Sequence, residues 1–499
     1  MHPPVSALDS LPWEATYAAL PAAFHVRLEP TPVGHPRWVQ LNLPLARQLG
    51  LDPERLTTPE ALAVFAGNRV PAGADPIAQA YAGHQFGHFV PQLGDGRALL
   101  LGELIDVDGV RRDIQLKGAG RTPFSRGGDG RSPIGPVVRE YLASEAMAAL
   151  GVPTTRSLAA VATGETVWRQ GPEPGGVLTR VAASHVRVGT FEYFGQRGDR
   201  SALRRLADYV LYRHYPHCAQ APRPHQALLE AVAAATAELI AAWMHIGFIH
   251  GVMNTDNLSV AGETIDYGPF GFLDAFDPAT VYSSIDRFGR YAFDQQPAIG
   301  EWNLARLAEA LLPLLDDDPD TAVDLAREAL SGYRPRFEAA HRAGLRAKIG
   351  LAEERPGDDD LVHDLLRRMA AEGADWTLTF RRLSDLDGAD ARGDEPFRGG
   401  FRDPQAADDW LAAWRGRLMA ERRSDAQRRA AMRAVNPAFV LRNHLAQWAV
   451  DAATERLDFA PMERLLVVLG DPFSDQPEHA DLARPPEPGQ AVTRTFCGT

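Results

Sequence analysis

Between His250 and Gly268 the chain reads HGVMNTDNLSVAGETIDYG, and three residue types in it stand at spacings that suit chemistry on phosphate esters. Asn257 and the Asp266-Tyr267-Gly268 turn each offer an oxygen that a divalent cation accepts, one from a loop and one from the end of the following strand. Mg²⁺ is held by one or two protein oxygens and completes its octahedron with phosphate and water, so this pair is a sufficient set. Where loops of the His-Gly-Asp type carry a proton-accepting aspartate, this chain has Val252, a hydrocarbon. The nearest carboxylate is Asp256, directly beside Asn257. The run predicts a nucleotide and metal site whose proton acceptor has moved.

Residues upstream fit the same chemistry. Gly94 and Gly96 lack Cβ atoms, so their backbone N–H groups have access to phosphate oxygens, and Arg97 adds charge. Lys117 ends the strand-like stretch RRDIQLK and would set an ammonium on the phosphates, held by an acid from the next helix. Glu140 and Glu145 both lie in that helix, and spacing favours neither. The loop from Arg121 to Arg131 contains three arginines and Asp129-Gly130, and Arg180 and Arg187 flank Ser184 and His185. Guanidinium forks bind phosphate oxygens in pairs. Each of these residues alone also suits a plain surface or turn role; their order along the chain is the signal.

Elements must hold these groups together. Residues 1–75 mix short helical patterns with Pro-rich connections and read as an extension, with Thr58 capping a helix that starts at Pro59. From residue 76 the pattern turns strand-like, and FVPQLGDGRALLLGEL reads as a hairpin turning at Gly94-Asp95-Gly96. RRDIQLK is a further strand, GAGRTPFSRGGDGRSP a loop, IGPVVREYLASEAMAAL a helix stopped by Gly151, and strands return near SLAAVATGETVWR and GGVLTRVAAS. Helices dominate from about residue 200, and the long ALLEAVAAATAELIAAWMHIG helix delivers the chain to His250. The apolar stretch between Asn257 and Asp266 is expected to form connecting strands. Residues 352–410 are acidic and Gly-rich with helical islands, and the Pro-rich tail is expected to be only partly ordered. The expected division is an extension at 1–75, a strand-rich nucleotide-binding lobe at 76–195, a helical lobe with the catalytic and metal loops at 196–475, and a tail at 476–499. No internal repeat is evident.

Composition limits the alternatives. At 499 residues and 45% hydrophobic the chain supports a large core. Fifty-two basic against 65 acidic residues give a net charge of −13, which disfavours nucleic acid or an anionic membrane as the partner. The Ala-rich stretch from Ala227 to Ile249 is interrupted by Glu230, Glu238 and His245, so no membrane span is expected. MHPPVSALDSLPWEA has neither a basic nor an apolar signal region, so a cytoplasmic location is expected. Cys218 and Cys497 are the only cysteines, too few for a disulfide framework or a cysteine zinc site, and Cys497 reads as an exposed thiol.

The strings QLKGAGRTPFSRGGDGRSPIGPVVREYLASEAM, HGVMNTDNLSVAGETIDYGPFGFLD and NPAFVLRNHLAQWAV, in this order, resemble the selenoprotein O family of protein adenylyltransferases. The likeness covers most of residues 76–310, stretches near 435–450 and the terminal cysteine. It implies an α+β, bilobal, protein-kinase-like fold of the pseudokinase type. It also implies ATP bound in reverse orientation and AMP transferred to Ser, Thr or Tyr hydroxyls of client proteins. Position by position, Gly94, Gly96, Arg97, Lys117, Asp129, Gly130, Arg180 and Arg187 would contact the nucleotide and Glu140 would partner Lys117. Asn257 and Asp266 would hold Mg²⁺ or Mn²⁺, and Asp256 would accept the proton. A reversed nucleotide turns its α-phosphorus toward the acceptor, which accounts for Val252. Many relatives carry Cys-Asn-His-Ser-Asp where this chain has Tyr282-Ser283-Ser284-Ile285-Asp286, so Cys497 lacks the internal partner the family implies, and redox control by an internal disulfide is not expected. Two other readings stand beside this one. A kinase would pass on the γ-phosphate with Asp256 as base, which Val252 argues against, and an inert nucleotide-binding scaffold is opposed by the retained Asp256, Asn257 and Asp266.

Overall fold

The computed structural model describes residues 7–496, so Cys497 lies outside the described residues. The chain is α+β, with one large antiparallel sheet and many helices. Its strands are β1 (His25–Arg27), β2 (Arg37–Leu41), β3 (Ile77–Gln79), β4 (Gly83–Gln85), β5 (His88–Val90), β6 (Ala98–Ile105), β7 (Arg111–Lys117), β8 (Ser132–Pro133), β9 (Arg156–Trp168) and β10 (Pro172–Ala182). The sheet runs β1-β3-β6-β7-β10-β9-β2, with β8 on β10, while β4 and β5 pair only with each other. The segment read as an extension thus supplies both edge strands. Residues 28–36 join one edge to the other, and the Thr31 amide donates to Ala119 O at 2.8 Å on the way.

The central strands are apolar runs because the sheet is covered on both faces. Leu99, Leu101, Val161 and Val177 share a cluster with Leu45 of α1 (Leu43–Gln48) and Val64 and Phe65 of α3 (Pro59–Phe65), α2 (Pro53–Leu56) lying between these helices in the chain. Leu100, Ala160, Ala162 and Leu178 join Val137, Val138 and Tyr141 of α4 (Ile134–Ala149) on the other face. Burying each Leu, Val or Phe among these stabilises the lobe by about 1.5–3 kcal/mol. Thr58 caps α3 as expected, its hydroxyl accepting from the Ala61 amide at 3.3 Å. α4 contains four Ala and two Glu, good helix formers, and it ends where Gly151 takes φ +78°.

The remainder is mainly helical: α5 (Val188–Gly195), α6 (Arg200–His214), α7 (Pro224–His245), α8 (Gln296–Leu315), α9 (Pro319–Ser331), α10 (Tyr333–Lys348) and further helices to Ala460–Leu469. At 22 residues and mean hydropathy 1.5, α7 is long and apolar enough to cross a membrane despite its interruptions. Here Leu229, Val232, Leu239 and Ile240 of α7 belong to the same core as α8, α9 and α10.

Three expectations change. Gly94-Asp95-Gly96 does not turn a hairpin: β5 pairs with β4 across Phe86-Gly87, and β6 pairs with β3 and β7. Residues 258–265 form isolated bridges, Leu258 with Thr264 and Arg187 with Ser259, rather than strands. The tail is placed as far as Phe496, and Thr495 forms a parallel bridge with Ser283, its amide donating to Tyr282 O at 2.7 Å.

Candidate active site

At the end of β7, Lys117 meets Glu140 of α4 in a buried ion pair. Glu145 turns away and binds Arg156 at 2.6 Å, which resolves the choice between the two glutamates. Glu140 also receives Arg180 from β10, whose other nitrogen donates to Asp266 Oδ1 at 2.6 Å. Arg187, at the start of α5, donates to Asp266 Oδ2 at 3.2 Å and lies 3.4 Å from Asp95. The result is a row of alternating charge, Lys117–Glu140–Arg180–Asp266–Arg187–Asp95, with three cations and three carboxylates.

The row balances itself in a place where single charges would be costly. Burial, then Arg180, lower Lys117 to about 8 against the pull of Glu140. Burial would raise Asp266, but Arg180, Arg187 and Lys117 outweigh it and hold the carboxyl well below the usual range. Glu140 is lowered in the same way, burial being overcome by Arg180 and Lys117, whereas Asp95 is raised by burial although Arg187 opposes it. The Arg187 guanidinium lies 4.4 Å over the Tyr81 ring.

Asp266 sits in a turn held from behind. Its φ of +62° is left-handed, a conformation Asp tolerates better than most residues, and its carbonyl accepts from the Gly268 amide at 2.8 Å. Tyr267 OH bonds the Thr154 hydroxyl, and Trp243 Nε1 donates to Thr264 at 2.8 Å. His250 Nε2 donates to Ile265 O at 2.9 Å, while Nδ1 accepts from the Val252 amide at 3.4 Å. With one nitrogen donating and one accepting, and burial lowering its pKa, His250 is a neutral clamp between the two loops. A surface cavity of about 310 Å³ behind this turn, lined by Arg112, Thr154 and Glu263 among others, includes none of the charged row.

The loop before Asn257 is pinned residue by residue. Asn254 Oδ1 accepts from the Phe86 amide at 3.0 Å and from Tyr291 OH at 2.7 Å. The Thr255 hydroxyl donates to Glu192 and accepts from the His84 amide at 2.6 Å. Asn257 Nδ2 donates to Val252 O at 3.0 Å, which turns its amide oxygen the other way. Asp256 is 8% exposed, accepts from Gln85 Nε2 at 3.1 Å, and is pushed up by burial to about 6, the Gln85 bond opposing that rise.

The other predicted residues divide. Gly94 and Gly96 serve tight packing: a Cβ at Gly94 would strike the Phe124 ring, and one at Gly96 would stand 2.8 Å from Phe124 O. Arg97 O accepts from the Gly118 amide at 2.7 Å, bringing the Arg97 backbone to the end of the Lys117 strand. Asp129 is bound by Arg169 at 2.9 Å, and the Gly130 carbonyl accepts from Gly120 at 3.1 Å, so both belong to the closed 118–131 loop and not to the charged row. Sequence reasoning missed Asp95, Gln85, His84 and Glu192. Asp95 was hidden between the two glycines, the only trace of His84 and Gln85 is their polarity after the mostly apolar stretch at 77–82, and Glu192 gave no signal at all.

A family model described as protein adenylyltransferase SelO matches residues 7–469. A relative from Alkalilimnicola ehrlichii, named protein nucleotidyltransferase YdiU, is 65% identical over 488 residues, covering 98% of this chain and 99% of its own. Proteins of the same name from a Bradyrhizobium species and from Rhodopseudomonas palustris are 60% and 59% identical over 489 and 490 residues, with the same coverage.

Proposed function

The chain belongs to the SelO family of protein adenylyltransferases, and we propose from that premise that it moves AMP from ATP to Ser, Thr or Tyr hydroxyls of client proteins, with Asp256 as proton acceptor. The observation that carries this reading is the row of paired charges through Lys117, Glu140, Arg180, Asp266 and Arg187, together with a hydrocarbon at the usual base position. Lys117 and Glu140 are paired, Asn257 and Asp266 flank the loop, and Val252 has no atom that could accept a proton. We further propose that the sheet and helices form the two lobes of a kinase-like fold.

Asp256 is ionised at neutral pH with a value close to it, which suits a general base. It takes the hydroxyl proton, the client oxygen attacks the α-phosphorus in line, and the bond to pyrophosphate breaks. Lys117, Arg180 and Arg187 offset the charge on the phosphates, and their carboxylate partners hold them in place beforehand. Asn257 and Asp266 fit a hard divalent cation such as Mg²⁺ or Mn²⁺: Asp266 is kept ionised, and Asn257 has its nitrogen tied to Val252, leaving an oxygen to donate. When bound, the cation supplies charge neutralisation on the transferred group and the leaving oxygen.

ATP labelled on either the α- or the γ-phosphate, supplied with Mg²⁺ or Mn²⁺, tests the reading. Protein labelled only from the α position is expected. Label only from the γ position means phosphoryl transfer, and label from neither leaves a nucleotide-binding scaffold; either result overturns the proposal.

A further inference from the structure

The two carboxylate oxygens of Asp256 have unlike surroundings. Oδ2 accepts from the Gln85 side-chain amide at 3.1 Å, a contact that spans 171 residues of chain. Oδ1 is buried with no hydrogen-bond partner and lies under Gly83, where a Cβ would stand only 2.5 Å away. Gln85 is the one described side chain that donates to this carboxylate.

The hairpin that brings Gln85 is locked to the catalytic loop on the N-terminal side of Asp256. The His84 amide holds Thr255 at 2.6 Å and the Phe86 amide holds Asn254 at 3.0 Å. The His84 ring and the Thr255 hydroxyl share the two oxygens of Glu192, and Ala82 donates to Gly189 O at 3.0 Å at the hairpin's base. Backbone groups of the hairpin therefore fix the two residues before Asp256, and the side chain between those backbone groups fixes Asp256 itself. A neutral amide donor at a carboxylate sets its rotamer and favours its charged form without supplying a competing charge. β4 and β5 pair with no other strand, so the hairpin adds nothing to the sheet and its polar groups are spent on this loop.

We infer that Gln85 is a positioning residue for AMP transfer, its amide N–H holding Asp256 in the orientation that receives the client hydroxyl proton, with β4–β5 as the element that delivers it. The inference rests on the adenylyl-transfer reading. Gln85→Met keeps the length and loses the donor, and Gln85→Glu sets a second carboxylate against the first. With α-labelled ATP and casein as acceptor, Gln85→Met is expected to lower kcat by about ten- to a hundredfold, the range for partners that orient a reacting group, with KM for ATP and the unfolding midpoint at wild-type values. Gln85→Glu is expected to fall further.

Wild-type kcat in Gln85→Met overturns the inference, and so does a loss that tracks a lowered folded fraction or a raised KM for ATP, since either marks a merely structural residue. The wild-type control separates the two levels. If wild type places no α-label on protein, adenylyl transfer itself fails and takes this inference with it; if wild type is active and Gln85→Met matches it, only the inference falls.

Discussion

Asp266 and Asp256 stand ten residues apart, one half-buried and one buried, and are treated in opposite ways. Asp266 has a guanidinium on each oxygen and is held ionised against its burial. Asp256 has one neutral amide on one oxygen and nothing on the other, so burial prevails and lifts it to about 6. One carboxylate is a fixed charge and the other is poised to exchange a proton. Two carboxyl groups pushed apart in this way suit different tasks, which is the basis for proposing Asp266 as ligand and Asp256 as base.

The sharpest way to break this comparison is to remove the exchanging partner. Asp256→Ala is expected to lower AMP transfer by about 10²–10⁴-fold, the usual share of a general base, with ATP affinity by calorimetry unchanged. Transfer at the wild-type rate would end the assignment. Removing the fixed charge should act on folding as well. Asp266→Ala takes the shared acceptor from Arg180 and Arg187, and denaturant unfolding is expected to register a loss of about 3 kcal/mol besides the lost metal-dependent activity. Unchanged stability would mean that the row is not a unit.

A third comparison uses pH. Folded Asp256 keeps its proton up to about pH 6, whereas the unfolded chain releases its own near pH 4. Ionising the folded residue costs stability that is fully felt above pH 6 and disappears as pH falls toward about 4. Asp256→Asn is therefore expected to be more stable than wild type at pH 7, by about 2–3 kcal/mol, with the advantage fading below pH 6. Asp266 has the opposite sign: its contribution is present above about pH 4 and is lost as pH falls through its lowered folded value. An advantage for Asp256→Asn that does not vary with pH would remove the electrostatic explanation. The smallest effect is expected from Gly83→Ala, whose new methyl meets Asp256 and should slow transfer by about tenfold with ATP binding intact, as measured by initial rates.

The parts of this site that could be read from the chain were those carried by order and type. Lys117, Glu140, Asn257 and Asp266 follow one another in the sequence of tasks a nucleotide site imposes, and the two-faced sheet announces itself as apolar runs. What stayed hidden depended on partners far away. Glu140 and Glu145 differ only in which neighbour each meets, Lys117 or Arg156, and that is decided by the packing of α4 on the sheet. Gly94-Asp95-Gly96 looked like a hairpin turn because a Gly-x-Gly between apolar runs reads alike whether the runs pair with each other or with other strands. The true turn has Phe86 at φ +51°, a residue type that gives no turn signal. Gln85 was silent because its meaning lies 171 residues away.

The connection through residues 28–36 has a mechanical consequence. From Arg27 to Arg37 there are ten Cα steps, which reach at most about 35 Å, while six strand gaps across a flat sheet of this order amount to about 29 Å. A drawstring with so little slack keeps the two margins from parting. Stitched to Ala119 at Thr31 and gripped by Arg131 at the carbonyls of Thr31 and Pro32, it crosses beside the loop that follows Lys117. The two margins of the sheet are therefore tied twice, through the strand ladder and through this covalent strap, and a proteolytic cut between residues 28 and 36 would leave β1 and β2 held by their pairing with β3 and β9 alone.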